Sequence, residues 1–183
     1  VWVKTSQTLT PLEGDKVIVR KDTTGAPRIF WGLAMHGYEA ANLGRVQFQI
    51  VIVGTGSSWV NSFNAINDNQ WHHLAGVRDT SAGKIKLYVD GQLQGSADEN
   101  LGNITGSESL SFANDASFFG SASAFQGLID EVKIYNTALD QEEVIASYGS
   151  KTNLYFTATR LKFATPQRST LVDVTSDSIA VEA

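Results

Sequence analysis

Short runs of alternating polar and apolar residues, separated by Gly, Asn, Asp and Ser, dominate the chain. Residues 17–20 (VIVR) form one such run and residues 28–34 (RIFWGLA) another. Residues 45–53 (RVQFQIVIV) alternate at first and then become apolar throughout, which predicts a strand covered on both faces along half its length. Residues 71–78, 84–89 and 128–135 continue the pattern. Asp90 and Gly91 separate two of these runs and predict a hairpin turn, because both residue types tolerate positive φ. Many short strands at regular spacing predict an all-β fold, a two-sheet antiparallel jelly-roll sandwich. One short helix near 140–148 interrupts it. Asp140, Glu142 and Glu143 make an acidic, capping-box-like start, Val144 and Ile145 supply apolar contact, and Gly149 offers a left-handed end. Residues 149–153 (GSKTN) are the one linker candidate, dividing a body (1–149) from a C-terminal tail (150–183).

Composition narrows the function. The 183 residues are 42% hydrophobic and 18% charged, enough for a folded core. A formal net charge of −5 with scattered Lys and Arg excludes a nucleic-acid partner, which needs clustered cations. The chain has no Cys, which removes disulfides, thiolate zinc sites and thiol nucleophiles together but does not assign a compartment. No apolar run approaches the roughly 20 residues that span a bilayer. No signal peptide is visible, so a secreted chain is expected in its mature form.

Three motifs then carry a family resemblance. Residues 69–75 (NQWHHLA), 86–91 (KLYVDG) and 127–139 (GLIDEVKIYNTAL) occur in this order. They closely resemble the second half of laminin-G-like (concanavalin A-like) jelly rolls, with their W-H-H-[VL]-A strand, L-Y-V-D-G hairpin and G-x-I-D-E-V-x-I-Y-N-x-A-L segment. The resemblance covers about half the chain, and the residues before it are compatible with the preceding strands. The order of the pieces departs from the family. The chain opens inside the family's second element, with residues 1–5 (VWVKT), while candidates for the opening strands stand at residues 160–163 (RLKF), 171–174 (LVDV) and 178–183 (SIAVEA). The sequence therefore looks circularly permuted. Two arrangements fit: the tail completes its own body, or it completes a neighbouring copy by strand exchange, which without closure makes a filament.

Catalysis is not expected. The E-x-D-x-x-E strand of glycosidases with this fold is absent, and residues 54–58 (GTGSS) lack the spacing of a nucleophile elbow. Asp140, Glu142 and Glu143 read as a helix start, and Asp130 and Glu131, adjacent on a strand, point to opposite faces. His72 and His73 likewise face apart, cannot share one metal ion, and read as structural. His36 sits in a Gly-rich stretch as a solvated loop residue within reach of a ligand.

The resemblance implies a structural Ca²⁺ held by Asp130. Calcium takes six to eight oxygens, so other donors are needed. The opening-motif position where the family tends to carry Asp or Asn is Ala164, which leaves Asp173 or Asp115 as the second acid. Sugar sites join an aromatic platform to directed amides and charges. The candidates are Arg28, Trp31, His36, Tyr38, Asn42, Trp59 and Asn61, with residues 114–119 as a second rim. Trp2 and Trp71 read as core, whereas Trp59 stands among Ser57, Ser58 and Asn61. The expected role is a non-catalytic extracellular or cell-surface recognition module. Its partner is a glycan or a surface or matrix component. A surface filament subunit built by tail donation is the alternative, and a glycoside hydrolase of the same superfamily the third reading.

Overall fold

The computed structural model describes residues 1–23, 28–104, 110–114, 123–152, 162–163 and 181–182. The chain divides into two compact units, Val1–Tyr148 and Gly149–Ala183.

The first unit is a sandwich of two five-stranded antiparallel sheets. Its strands are β1 (Trp2–Lys4), β2 (Lys16–Asp22), β3 (Ile29–Met35), β4 (Arg45–Ile52), β5 (Gly56–Ala65), β6 (Trp71–Asp79), β7 (Lys84–Val89), β8 (Gln92–Asp98), β9 (Leu110–Phe112) and β10 (Leu128–Asp130). One sheet has the order β10-β1-β6-β7-β8 and the other β5-β4-β3-β2-β9. Val3, Ile18, Leu33, Met35, Phe48, Ile50, Leu74, Ile85 and Leu87 meet between them as one core. Alternation along each strand puts these residues inward and their neighbours outward, as the two-residue pleat requires. The sheets close tightly over Gly76, where a Cβ would lie 2.4 Å from the Phe48 ring. Asp90 (φ 51°) and Gly91 (φ 74°) make the β7–β8 turn, both with positive φ as a type I′ hairpin demands. In the second unit, β11 (Lys162–Phe163) pairs antiparallel with β12 (Val181–Glu182).

The helix α1 (Gln141–Thr152) begins with a reciprocal capping box: Glu143 N–H donates to Asp140 Oδ1 at 2.8 Å, and Asp140 N–H to Glu143 Oε2 at 2.9 Å. It buries Val144 against Val77 and Tyr88. Among the described residues no helix is long and apolar enough to cross a membrane.

Four expectations need correction. The helix runs through Gly149 to Thr152 instead of ending near 148. Gly149 is absent from the positive-φ glycines and its Cβ position is open, so it costs helix propensity without imposing a cap. The linker expected at 149–153 is therefore helical through Thr152. The strand expected over 128–135 stops at Asp130, because Glu131 takes φ 47° and leaves the pleat; Glu131 is thus not Asp130's strand neighbour on the opposite face. Trp71 is half-buried, near the sheet's β1 end, and not part of the core.

Candidate functional site

The outward face of the second sheet is defined by register. Trp59 of β5 lies opposite Gln49 of β4, Gln49 opposite Gly32 of β3, and Gly32 opposite Arg20 of β2. One row along, Asn61, Gln47, Ala34 and Val17 align; on the other side Ser57, Val51, Phe30 and Asp22 do. The inward face carries the intervening residues, among them Val60, Phe48 and Leu33 of the core.

The resulting surface has an aromatic wall, an amide floor and a charged end. Trp59 is 55% exposed, although it sits on a regular strand beside buried neighbours. Gln47 is buried and donates through Nε2 to Asn61 Oδ1 at 3.0 Å, which fixes both amides. Gly32 is buried and the β2 backbone lies close against it, since a Cβ there would meet the Val19 carbonyl at 2.3 Å. The buried Arg20 guanidinium stacks on Phe30 at 3.9 Å and pairs with Asp22 at 3.2 Å. Arg28 reaches the same carboxylate, its Nε donating to Asp22 Oδ1 at 2.9 Å, and lies 5.2 Å from the Phe30 ring. Asp22 is thereby clamped between two guanidiniums above an aromatic ring.

At the opposite end His36 continues the β3 alternation, its N–H donating to Arg45 O at 2.7 Å. The side chain is only 7% exposed, which corrects the expected solvated loop histidine: the extended backbone turns it inward, where Nδ1 lies 3.2 Å from Asp15 Oδ1. Burial raises the Asp15 carboxyl above its usual range against the Gly37 N–H, which donates to it at 3.2 Å. Tyr38, 40% exposed, lies 6.0 Å from the His36 ring, and burial followed by the Asp15 charge raises its phenol.

Of the seven residues predicted to bind ligand, Trp59, Asn61 and Arg28 gather on this face, while His36 is buried against Asp15 with Tyr38 beside it. Trp31 does not: it pairs with Ile50 and Lys21 on the inward row and packs against the core. Asn42 lies in a 3-10 turn (Ala40–Asn42) and donates to Glu39 Oε2 at 2.7 Å. Gln47, Gln49, Arg20, Asp22 and Phe30 join the face without having been singled out. The polar phase of residues 45–49 was the available signal for the two glutamines.

Asp130 is exposed and its Oδ1 accepts the Glu131 N–H at 2.8 Å. Among the described residues no three His, Cys, Asp or Glu side chains gather as a metal site. Asp173, Asp115, Ala164 and most of the 114–119 rim lie outside the described residues. His72 and His73 diverge as expected. His72 Nδ1 meets Asp90 Oδ2 at 2.7 Å and Nε2 meets Asp68 Oδ1 at 3.1 Å, while His73 is buried against Trp2 and Tyr148, 3.3 Å from Ser147 Oγ.

The laminin G family model, described as the concanavalin A-like lectin/glucanases superfamily, matches residues 1–145. The chain belongs to this superfamily. No curated protein matches it. Among solved structures it is similar to the CBM40 of the Ruminococcus gnavus IT-sialidase, at 19% identity and TM-score 0.64, covering 81% of this chain and 80% of that one. The same module solved with α2,3 sialyllactose gives the same identity and TM-score. A putative carbohydrate binding protein from Bacteroides ovatus matches at 15% identity and TM-score 0.60, over 79% of this chain and 38% of that one. Domains LG4-5 of the mouse laminin alpha1 chain match at 17% identity and TM-score 0.53, over 77% of this chain and 36% of that one. At these identities the likeness establishes the jelly-roll fold of this superfamily member.

Proposed function

We propose that this concanavalin A-like domain is a non-catalytic, extracellular glycan-binding module whose site is the outward face of the β5-β4-β3-β2-β9 sheet. The observation that carries the reading is Trp59, more than half exposed on a regular strand, in register with Gln49 and one row from the paired amides of Asn61 and Gln47. An exposed indole leaves a large apolar surface in water, and a sugar ring's C–H face covers it while the amides pair with hydroxyls. Arg28, paired with Asp22 beside Arg20, marks the charged end of the face. The carboxylates on this face do not suit general acid–base work, since Asp22 is neutralised by two guanidiniums and Asp15 is tied to Gly37 and His36. The sialyllactose complex of a structural neighbour makes sialylated glycans the first ligands to screen.

The test is a screen of neutral and sialylated oligosaccharides against the wild type and Trp59→Ala. Saturable binding without sugar release, lost in the variant, is the expected result. Binding that survives the substitution removes the site, and release of reducing sugar removes the non-catalytic reading.

A further inference from the structure

β5 carries a second exposed aromatic besides Trp59. Phe63 is 63% exposed, more than Trp59, on the same ten-residue strand. Burial alternates along this stretch: Ser58, Val60 and Ser62 are buried, whereas Trp59, Asn61 and Phe63 are not, so these three share the outward face. The strand is irregular at Phe63, where the β4–β5 register shifts, and hydrogen bonds pin it on either side of the ring. Ser62 Oγ accepts Val46 N–H at 2.9 Å and donates to Asn64 O at 2.7 Å, and Phe63 N–H donates to Gln94 Oε1 of β8 at 2.9 Å. Such bulges re-aim side chains beside sites.

The row reads aromatic, amide, aromatic, and its chemistry specifies what lies on it. Trp59 and Phe63 stand four residues apart, at most about 13 Å along an extended strand. A pyranose ring is about the size of the aromatic ring it stacks on, so one sugar covers one platform and not both. A chain that reaches both carries a further unit between them, over Asn61. Gln47 occupies the Asn61 Oδ1, which leaves the Asn61 Nδ2 to serve a hydroxyl of that unit. Residues 56–65 hold no charged side chain, and Gln47 and Gln49 face them from β4, which suits neutral sugars. A peptide adding as a strand would need the outer backbone groups of β5, and the Phe63 N–H is already taken by Gln94.

We propose that the site takes a linear, neutral oligosaccharide of at least three units lying along β5, with Trp59 and Phe63 stacking on two units and Asn61 hydrogen-bonding the unit between them. The proposal rests on the glycan-binding reading above and adds the form of the ligand: a chain gripped along its length, not a single sugar held at its end.

Calorimetric titration with cello-, xylo-, manno- and malto-oligosaccharides, from monosaccharide to hexasaccharide, tests the proposal on the wild type, Phe63→Ala, Phe63→Trp and Trp59→Ala. The wild type's affinity for one series is expected to rise at least about tenfold between the monosaccharide and the trisaccharide. Phe63→Ala should flatten that rise and Phe63→Trp should keep it, both at the wild-type melting temperature. Binding that depends on Trp59 but not on chain length or Phe63, or that is confined to sialylated glycans, overturns this proposal and leaves the glycan-binding reading standing. Absence of saturable binding to any sugar, sialylated ones included, overturns both. A mass by light scattering that falls in Phe63→Ala makes the patch a contact between copies and likewise overturns the proposal.

Discussion

Trp59 and Trp31 are the same residue type, both on strands, and the pleat alone separates their roles: one faces outward across from Gln49, the other inward across from Ile50. Residue type was legible in the sequence, and so was the polar setting of Trp59; the phase of β3 was not, because residues 28–34 are apolar on both faces in sequence. Trp59→Ala is expected to weaken glycan binding at least tenfold, about 1.4 kcal/mol, in a calorimetric titration. It should shift unfolding free energy by no more than about 0.5 kcal/mol, since the side chain supports little packing. The paired histidines make the opposite kind of prediction. The Asp90 hydrogen bond, aided by Asp68, raises His72, so its contribution is full below the unfolded value near 6.5 and is lost as pH rises through the raised folded value. Burial, with the Val1 ammonium, lowers His73 to about 4, so the unfolded chain binds the extra proton between pH 4 and 6.5 and stability falls as pH drops through that window. Urea midpoints should therefore rise from pH 4 to 6.5, and His73→Gln should flatten that rise; an unchanged slope in the variant would assign it elsewhere.

Among the elements, the ones marked by turn chemistry were readable and the ones ended by tertiary context were not. The Asp90–Gly91 hairpin follows from two residues that accept positive φ, and α1 starts where Asp140 and Glu143 cap each other. Nothing local announces that β10 stops at Asp130, since residues 131–135 keep a strand-like pattern; the break is the positive φ of Glu131, a conformation costly for a side chain with a Cβ. Gly149 misled in the other direction, as a residue suited to end a helix that here continues it. Asp140→Ala should cost about 1 kcal/mol in chemical denaturation by leaving the Glu143 N–H without its cap, while Asp140→Asn, which keeps an acceptor, should cost much less.

At the scale of the molecule, two sheets held close at Gly76 and Phe48 carry an outward face on which Trp59 is exposed and Gln47 and Arg20 are buried. Gly76→Val should destabilise by roughly 1–3 kcal/mol through overpacking against Phe48, read as a lower melting temperature, and weaken binding only through lost folded protein. The three motifs named the superfamily because they set the β6–β7–β8 meander and the 127–139 segment, whereas the site lies on β2–β5, where no motif falls and only register brings distant residues into one row. The account therefore stands on where a glycan lands. The direct measurement is a titration of ¹⁵N-labelled protein with α2,3 sialyllactose and a neutral oligosaccharide, following the Trp59 indole N–H and the side-chain amides of Gln47, Gln49 and Asn61. Saturable shifts concentrated on these groups are the predicted result. A spectrum unmoved by either sugar, or shifts clustered around residues 132–139 with the Trp59 face silent, would contradict it.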